Sequence, residues 1–162
     1  MLDPRVAQAV LSLDVSHTVL GCDPALADTA AFCEHYGFAL EEAANTIVVV
    51  SKKVDPPRHA ACVVLATTRL DVNKKVSELL GVKRLSFADE ETTLRVTGMM
   101  IGGVTPFGLD GLPVYVDAAV MRQVRVVLGG GNRSSKLLLD PHELTKLPGA
   151  AVVDALARPR SP

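Results

Sequence analysis

The run Thr97-Gly98-Met99-Met100-Ile101-Gly102-Gly103-Val104-Thr105-Pro106-Phe107-Gly108-Leu109 constrains this chain more than any other stretch. It is apolar, so it belongs inside. Yet four glycines and one proline in thirteen residues break any helical or strand ladder. A buried segment of irregular backbone has two uses. It joins neighbouring strands, or it presents N–H and C=O groups to a ligand while its apolar side chains anchor it. The residues alone leave both uses open.

The remainder must build a core around that loop. The chain has 162 residues, 48% of them hydrophobic, with only 4% aromatic and no Trp. That length fits one domain, 1–162, and the core must come from Val, Leu, Ile and Ala. A net charge of −1 gives no electrostatic footprint for duplex DNA, though a local patch can still meet a nucleic-acid end. Cys22, Cys33 and Cys62 are odd in number and form no C-x-x-C pair, which favours a reduced, cytoplasmic setting over disulfides or a zinc ribbon. Met1-Leu2-Asp3-Pro4 does not read as a signal peptide, and no apolar run is long enough to span a bilayer, so no membrane partner is expected.

Helix starts repeat one device. Asp3-Pro4, Asp23-Pro24 and Asp140-Pro141 each set a capping carboxylate before a proline, the third with Glu143 in capping-box position. Helices are expected from about Pro4 to Leu13, from Pro24 to Tyr36 (Leu26, Ala30 and Cys33 inward), after Asp71 (Val72, Val76, Leu79 and Leu80 inward), after Ser86 or Asp89, and after Asp140. Val15–Leu20, Thr46–Val50, Ala60–Ala66, Lys83–Phe87, Pro113–Asp117, Val124–Leu128 and Lys136–Leu139 read as strands. Ala150–Ala157 is ambiguous, and Arg158–Pro162 reads as a frayed tail. The late strands, joined by turns, imply antiparallel pairs. The expected class is α+β, one domain with a mixed, curved or barrel-like sheet flanked by helices.

Other constellations are weaker. Gly129–Lys136 lacks the spacing of the nucleotide-binding glycine loops and precedes a strand, but such a turn, with Arg133 and Lys136, can form an anion-binding concavity. The four histidines lie on separate elements, and no metal site or cofactor is expected. Asp117 ends a strand after the Gly/Pro loop, where a carboxylate either positions a ligand or starts a turn. Lys52, Lys53, Arg58, Arg69, Lys74 and Lys75 form a local basic rim or a solvated face.

Thr97 through Gly108 matches T-G-x-x-x-G-G-x-[ST]-P-x-G, and in this the sequence resembles the YbaK/prolyl-tRNA-editing family of aminoacyl-tRNA deacylases. The order continues in Ala44-Asn45-Thr46 before a strand, Arg69-Leu70-Asp71 opening a helix, Leu80-Gly81-Val82-Lys83, Pro113-Val114-x-Val116-Asp117, and the glycine turn at Gly130 with Arg133. The likeness covers roughly Asp23 to Leu147. It implies hydrolysis of the ester joining a wrong amino acid to the 3′ adenosine of tRNA. It implies a pocket lined by the backbone of Gly102, Gly103, Thr105, Pro106 and Gly108, with Asn45 and Asp117 beside the chemistry. Lys52, Lys53, Arg69, Thr97, Gly130, Arg133 and Ser134 would then contact substrate or tRNA. The family is thought to lean on the substrate's own ribose hydroxyl, which fits the lack of a side-chain triad. Many members carry a lysine where this chain has Asn45; Lys52 or Lys53 is its expected substitute if the strand lets either reach. With no synthetase domain read in the chain, a free-standing trans-editing enzyme is the first expectation, acting on the aminoacyl-tRNA 3′ end, alone or beside a synthetase. A binding module without hydrolysis is the second.

Overall fold

A computed structural model describes residues 1–160. Among the described residues ten strands form three open sheets, one of them five-stranded. Its members are β2 (Ala44–Ser51), β3 (His59–Leu65), β5 (Leu85–Phe87), β6 (Val114–Asp117) and β9 (Ala150–Val153), in the order β5-β2-β3-β6-β9. β2 runs antiparallel to β3 from Ala44↔Leu65 to Val50↔His59, whereas β3–β6 and β6–β9 are parallel. The second sheet, β1 (Thr18–Gly21), β8 (Ser135–Leu139) and β7 (Val126–Gly129), is antiparallel. β4 (Thr68–Leu70) pairs only with β10 (Ala157–Pro159).

The main core lies between the two larger sheets. Val48 and Val63 of the first meet Val126, Leu128 and Leu137 of the second. A second cluster, including Val49, Cys62 and Val64, covers the other face of the five-stranded sheet. Burial on both faces explains why Ala60–Leu65 reads as an unbroken apolar run rather than an alternating one.

α1 (Pro4–Ser12) starts where the Asp3 carboxylate accepts the Arg5 N–H at 2.9 Å, and it buries Val6 and Val10. Its N-terminal end braces the site from below. The Asp3 N–H donates to the Gly130 carbonyl at 3.0 Å, and the Arg5 guanidinium to the Gly98 carbonyl at 3.0 Å. α2 (Thr29–Tyr36) buries Phe32 and Cys33 and stops at Gly37, whose φ of +79° suits a residue without Cβ. α3 (Ser77–Leu80) continues a wider turn over Val72–Val76, α4 is Glu90–Thr97, and α5 is Ala118–Met121.

Several expectations need correction. The sheets are open at their edges, so the fold is mixed α+β but not a barrel. The expected second helix is interrupted: Pro24–Leu26 forms a single tight turn, and Asp28 restarts the chain in extended backbone before α2, leaving Ala30 exposed. The segment after Asp140 also winds as tight turns, over Pro141–Lys146. Leu79 is exposed, as is Val124, which lies before β7. Ala150–Ala157 resolves into β9 and the start of β10. Arg158 and Pro159 belong to β10 rather than to a tail, while residues 161–162 lie outside the described residues.

Candidate active site

A cavity of about 280 Å³ opens where the two larger sheets diverge. It exists because β2 and β7 approach side by side only at their beginnings, through a single parallel bridge between Ala43 and Val127. Residues Ala44–Val48 of β2 form one wall, and Val127–Gly129 with Lys136 form another. Asp28, Thr29 and Phe32 at and after the start of α2, Ala88, Thr93 of α4, and the loop residues Ile101, Gly102 and Val104 complete it. Its floor is apolar and its polar groups are few, the composition of a pocket that orients a small ligand.

The Gly/Pro loop is held by its carbonyls. The Arg133 guanidinium donates to the Ile101 carbonyl at 2.7 Å, the Lys136 ammonium to that of Gly102 at 2.8 Å, and the Gly131 N–H to that of Gly103 at 2.7 Å. None of these bonds uses the N–H of Gly102 or Val104. Glycine is required where loop and turn touch: a Cβ on Gly103 would collide with the Asn132 carbonyl, and one on Gly129 with that of Val104. At the loop's start the buried Thr97 hydroxyl donates to the Thr93 carbonyl at 2.6 Å and accepts the Met99 N–H at 3.0 Å.

Lys136 is the unusual group. It is 5% exposed, and its Nζ donates to the Ala27 carbonyl at 2.6 Å as well as to Gly102. The Phe32 ring centroid lies 5.4 Å away. Among the described residues no carboxylate lies in ion-pair range of it. Burial lowers the ammonium's pKa from its usual value, with the nearby Arg133 adding to the shift and Cys22, Asp28 and Cys33 opposing it. A buried cation without a counter-charge makes the pocket wall electropositive. Two of its three N–H bonds are used within the protein, which leaves one for a ligand.

Asn45 lines the same cavity. Its Oδ1 accepts the Thr29 hydroxyl at 2.5 Å, which fixes the amide and leaves its NH₂ as donor. The neighbouring Thr46 hydroxyl is buried without a partner, although it borders the cavity.

The other expected site residues divide by position. Gly102 lines the cavity and Gly103 sets the loop against the turn. Thr105 and Pro106 are buried beyond it, the Thr105 hydroxyl unpartnered, and Gly108 packs on the backbone of Arg5. Asp117 is 2% exposed between β6 and α5, away from the cavity lining. Burial raises its carboxyl above the usual range, opposed by the N–H groups of Ala119 and Leu156. Gly130 packs on Ser135, and the Ser134 N–H and hydroxyl both face Asn132 Oδ1, at 3.1 and 3.2 Å. Through the Gly131 N–H donated to Gly103, the glycine turn clamps the loop. Arg133 pairs with Asp28 at 3.1 Å and bonds the Pro24 carbonyl, which ties α2's approach to the loop.

Lys52 and Lys53 do not stand in for a lysine at Asn45. They follow the far end of β2, where seven residues of extended chain span roughly 23 Å. They line a separate surface groove with Arg58, Lys83 and Arg84, while Arg69 lines another with Arg158 and Arg160. Sequence reasoning put Lys136 beside the glycine turn but not in the pocket, and missed Thr29. The available signal was a lysine inside an apolar strand, Ser135-Lys136-Leu137-Leu138-Leu139. Among the described residues no three His, Cys, Asp or Glu side chains converge on a possible metal position, and no helix is long and apolar enough to cross a membrane.

Comparison with known proteins follows the same outline. A family model described as the aminoacyl-tRNA editing domain matches residues 23–147. A protein of Bacillus subtilis, YwhH, of uncharacterised function, is 35% identical over 115 residues, 66% of this chain and 73% of that protein. The proline–tRNA ligase of Desulforamulus reducens is 38% identical over 69 residues, 42% of this chain but only 12% of the ligase. Among solved structures, a candidate trans-editing enzyme for prolyl tRNA synthetase superposes with a TM-score of 0.79 at 27% identity, covering 95% of this chain and 98% of the other. A hypothetical protein with a TM-score of 0.84 at 24% identity shares the fold over 95% of this chain and 99% of its own.

Proposed function

The chain belongs to the aminoacyl-tRNA editing domain family, and we propose on that footing that it is a trans-acting deacylase that hydrolyses the ester of a mischarged tRNA. The observation that carries the reading is the buried Lys136 ammonium, with no carboxylate of the described residues in ion-pair range and with one N–H beyond its two carbonyl bonds, at the wall of a cavity of about 280 Å³. The volume accommodates an aminoacyl side chain beside that ammonium.

In this reading the aminoacyl group enters the cavity and its ester carbonyl faces Lys136, the Asn45 NH₂ and the N–H groups of Gly102 and Val104. Water adds to the carbonyl carbon, and the charge that develops on the carbonyl oxygen meets donors already held in place. The C–O bond to the ribose then breaks, the ribose oxygen takes the proton released by the water, and free amino acid and tRNA leave. Asp28 lines the cavity but is held in an ion pair with Arg133, and among the described residues no other carboxylate and no imidazole lines it. A ribose hydroxyl of the substrate is the available proton relay, as the resemblance implies. Lys136, from β8, supplies the charge that the family resemblance implies at the position of Asn45, on β2.

The test is a panel of tRNAs charged with glycine, alanine, serine, cysteine or threonine. We expect release of at least one amino acid far above the spontaneous rate, and its loss in Lys136→Met. Retained binding of charged tRNA without turnover on any member would overturn the deacylase and leave a binding module.

A further inference from the structure

We propose that Thr46 makes the cavity selective for β-hydroxy aminoacyl groups, seryl and threonyl, over apolar groups of the same shape. This deepens the deacylase reading and rests on it, because it names the class of amino acid that the site releases.

Thr46 stands in the middle of the β2 wall. Side chains alternate along a strand, so Thr46 shares a face with Ala44 and Val48. Those two pack in the core between the larger sheets with Val104 and Leu128, and all four also line the cavity. An apolar residue would satisfy that packing. The face carries a hydroxyl instead: Thr46 is 9% exposed, and its Oγ1 has no hydrogen-bond partner. Buried hydroxyls are nearly always paired, because an unpaired one gives up its bonds to water and receives nothing in return.

The cavity supplies the missing context. Thr29 of α2 and Thr93 of α4 line it as well, so three elements each bring a threonine to one small space. The Thr29 hydroxyl is committed to Asn45 Oδ1, whereas that of Thr46 is uncommitted. Lys136 and the Asn45 amide serve the ester end of the substrate, which leaves its side chain to meet Thr46. A hydroxyl there both donates and accepts, so it can pair with Thr46 in either direction. A turn about χ1 exchanges the positions of the Thr46 hydroxyl and methyl, which brings Oγ1 to the ligand without moving β2. An alanyl or valyl group leaves the threonine unpaired. Rejection of this kind goes beyond what fitting a methyl group achieves, because the wrong ligand strands a buried polar group.

The experiment measures deacylation by the full chain of one tRNA charged in turn with serine, alanine, threonine and valine. Threonine and valine have one shape, so that pair removes size from the comparison. We expect kcat/KM to favour seryl over alanyl, and threonyl over valyl, by about 10- to 100-fold. Thr46→Val should erase both preferences while leaving the alanyl and valyl rates unchanged, and Thr46→Ser should keep them. Thr46→Val should also melt no lower than wild type, since the hydroxyl it removes has no partner in the fold. Equal rates within either pair, preferences that survive in Thr46→Val, or a lower melting temperature for that variant would overturn the proposal and leave the deacylase standing. If no ester is hydrolysed, the deacylase falls, and calorimetry with amide-linked seryl and alanyl analogues of 3′-aminoacyl adenosine decides the proposal. Tighter seryl binding that is lost in Thr46→Val sustains it; equal affinity, or none for either analogue, overturns it.

Discussion

The Lys136 ammonium lies 2.8 Å from the Gly102 carbonyl, so one side chain from β8 both fixes the Gly/Pro loop and sets a positive charge at the cavity wall. β8 supports this arrangement because Ser135 and Leu137 on either side of the lysine are fully buried. The lysine's head then lies over the Phe32 ring and is caught by two carbonyls. The first predictions concern that contact.

Lys136→Met keeps the bulk and removes the charge. Hydrogen bonds to charged groups are worth about 1.5–3 kcal/mol, so kcat/KM on charged tRNA should fall roughly 10- to 100-fold. Relief of the buried charge offsets the two lost bonds, and stability should change by no more than about 2 kcal/mol. Steady-state deacylation and urea unfolding check the two halves.

The pH dependence has a definite sign. Burial holds the folded-state pKa of Lys136 below the lysine value of 10.5. Between the two values the unfolded chain binds the extra proton, so the lysine's contribution makes stability rise with pH there, and the penalty is in full force below the lowered pKa. The buried thiols of Cys22, Cys33 and Cys62 act oppositely. Their raised values cost stability as pH climbs above 9.0, the usual thiol value, Cys62 being pushed up to about 12. The melting-temperature difference between wild type and Lys136→Met, followed from pH 8 upward, reports the lysine together with its coupling to Cys22 and Cys33 and should grow in favour of wild type. A flat difference would show that Lys136 keeps an ordinary pKa.

Thr29→Val should lower activity although Thr29 stands on a different element from Asn45. Without the 2.5 Å hydroxyl contact the Asn45 amide is free to rotate, and its NH₂ no longer faces the cavity by default. We expect a loss of about tenfold in kcat/KM, from one hydrogen bond's worth of orientation. Asn45→Ala should lose about as much, and the double variant should lose little more than either single one. Additive losses in that cycle would separate the two residues.

Gly103→Ala and Asp117→Ala should part company. A methyl at Gly103 collides with the Asn132 backbone and forces the loop off the glycine turn, so stability and activity should fall together. Asp117→Ala removes a carboxyl whose largest burden is burial, which offsets the loss of the nearby Ala119 and Leu156 N–H groups, so stability should shift by no more than about 1–3 kcal/mol. Its kcat/KM per folded molecule should stay at wild type, because Asp117 is remote from the cavity lining. Melting curves and active-site-normalised rates distinguish the two variants.

The sequence by itself determined the elements whose cause is local. Asp3-Pro4 started a helix because a carboxylate and a fixed φ act within one turn. Ala60–Leu65 announced a doubly buried strand by its unbroken apolar run, and the glycines of residues 97–109 marked a backbone that is not regular. Even the irregular loop and the glycine turn could be named as separate features. Only the tertiary structure decided what they do to each other. The clamp between Gly103 and Gly131, the distance that removes Lys52 and Lys53 from the cavity, and the meeting of Lys136 with Gly102 each join residues 28 or more positions apart, or are set by the run of a strand. No local propensity encodes such a meeting. A lysine in an apolar strand looks the same whether its head escapes to water or turns inward, and its direction was fixed by which carbonyls the fold left without donors.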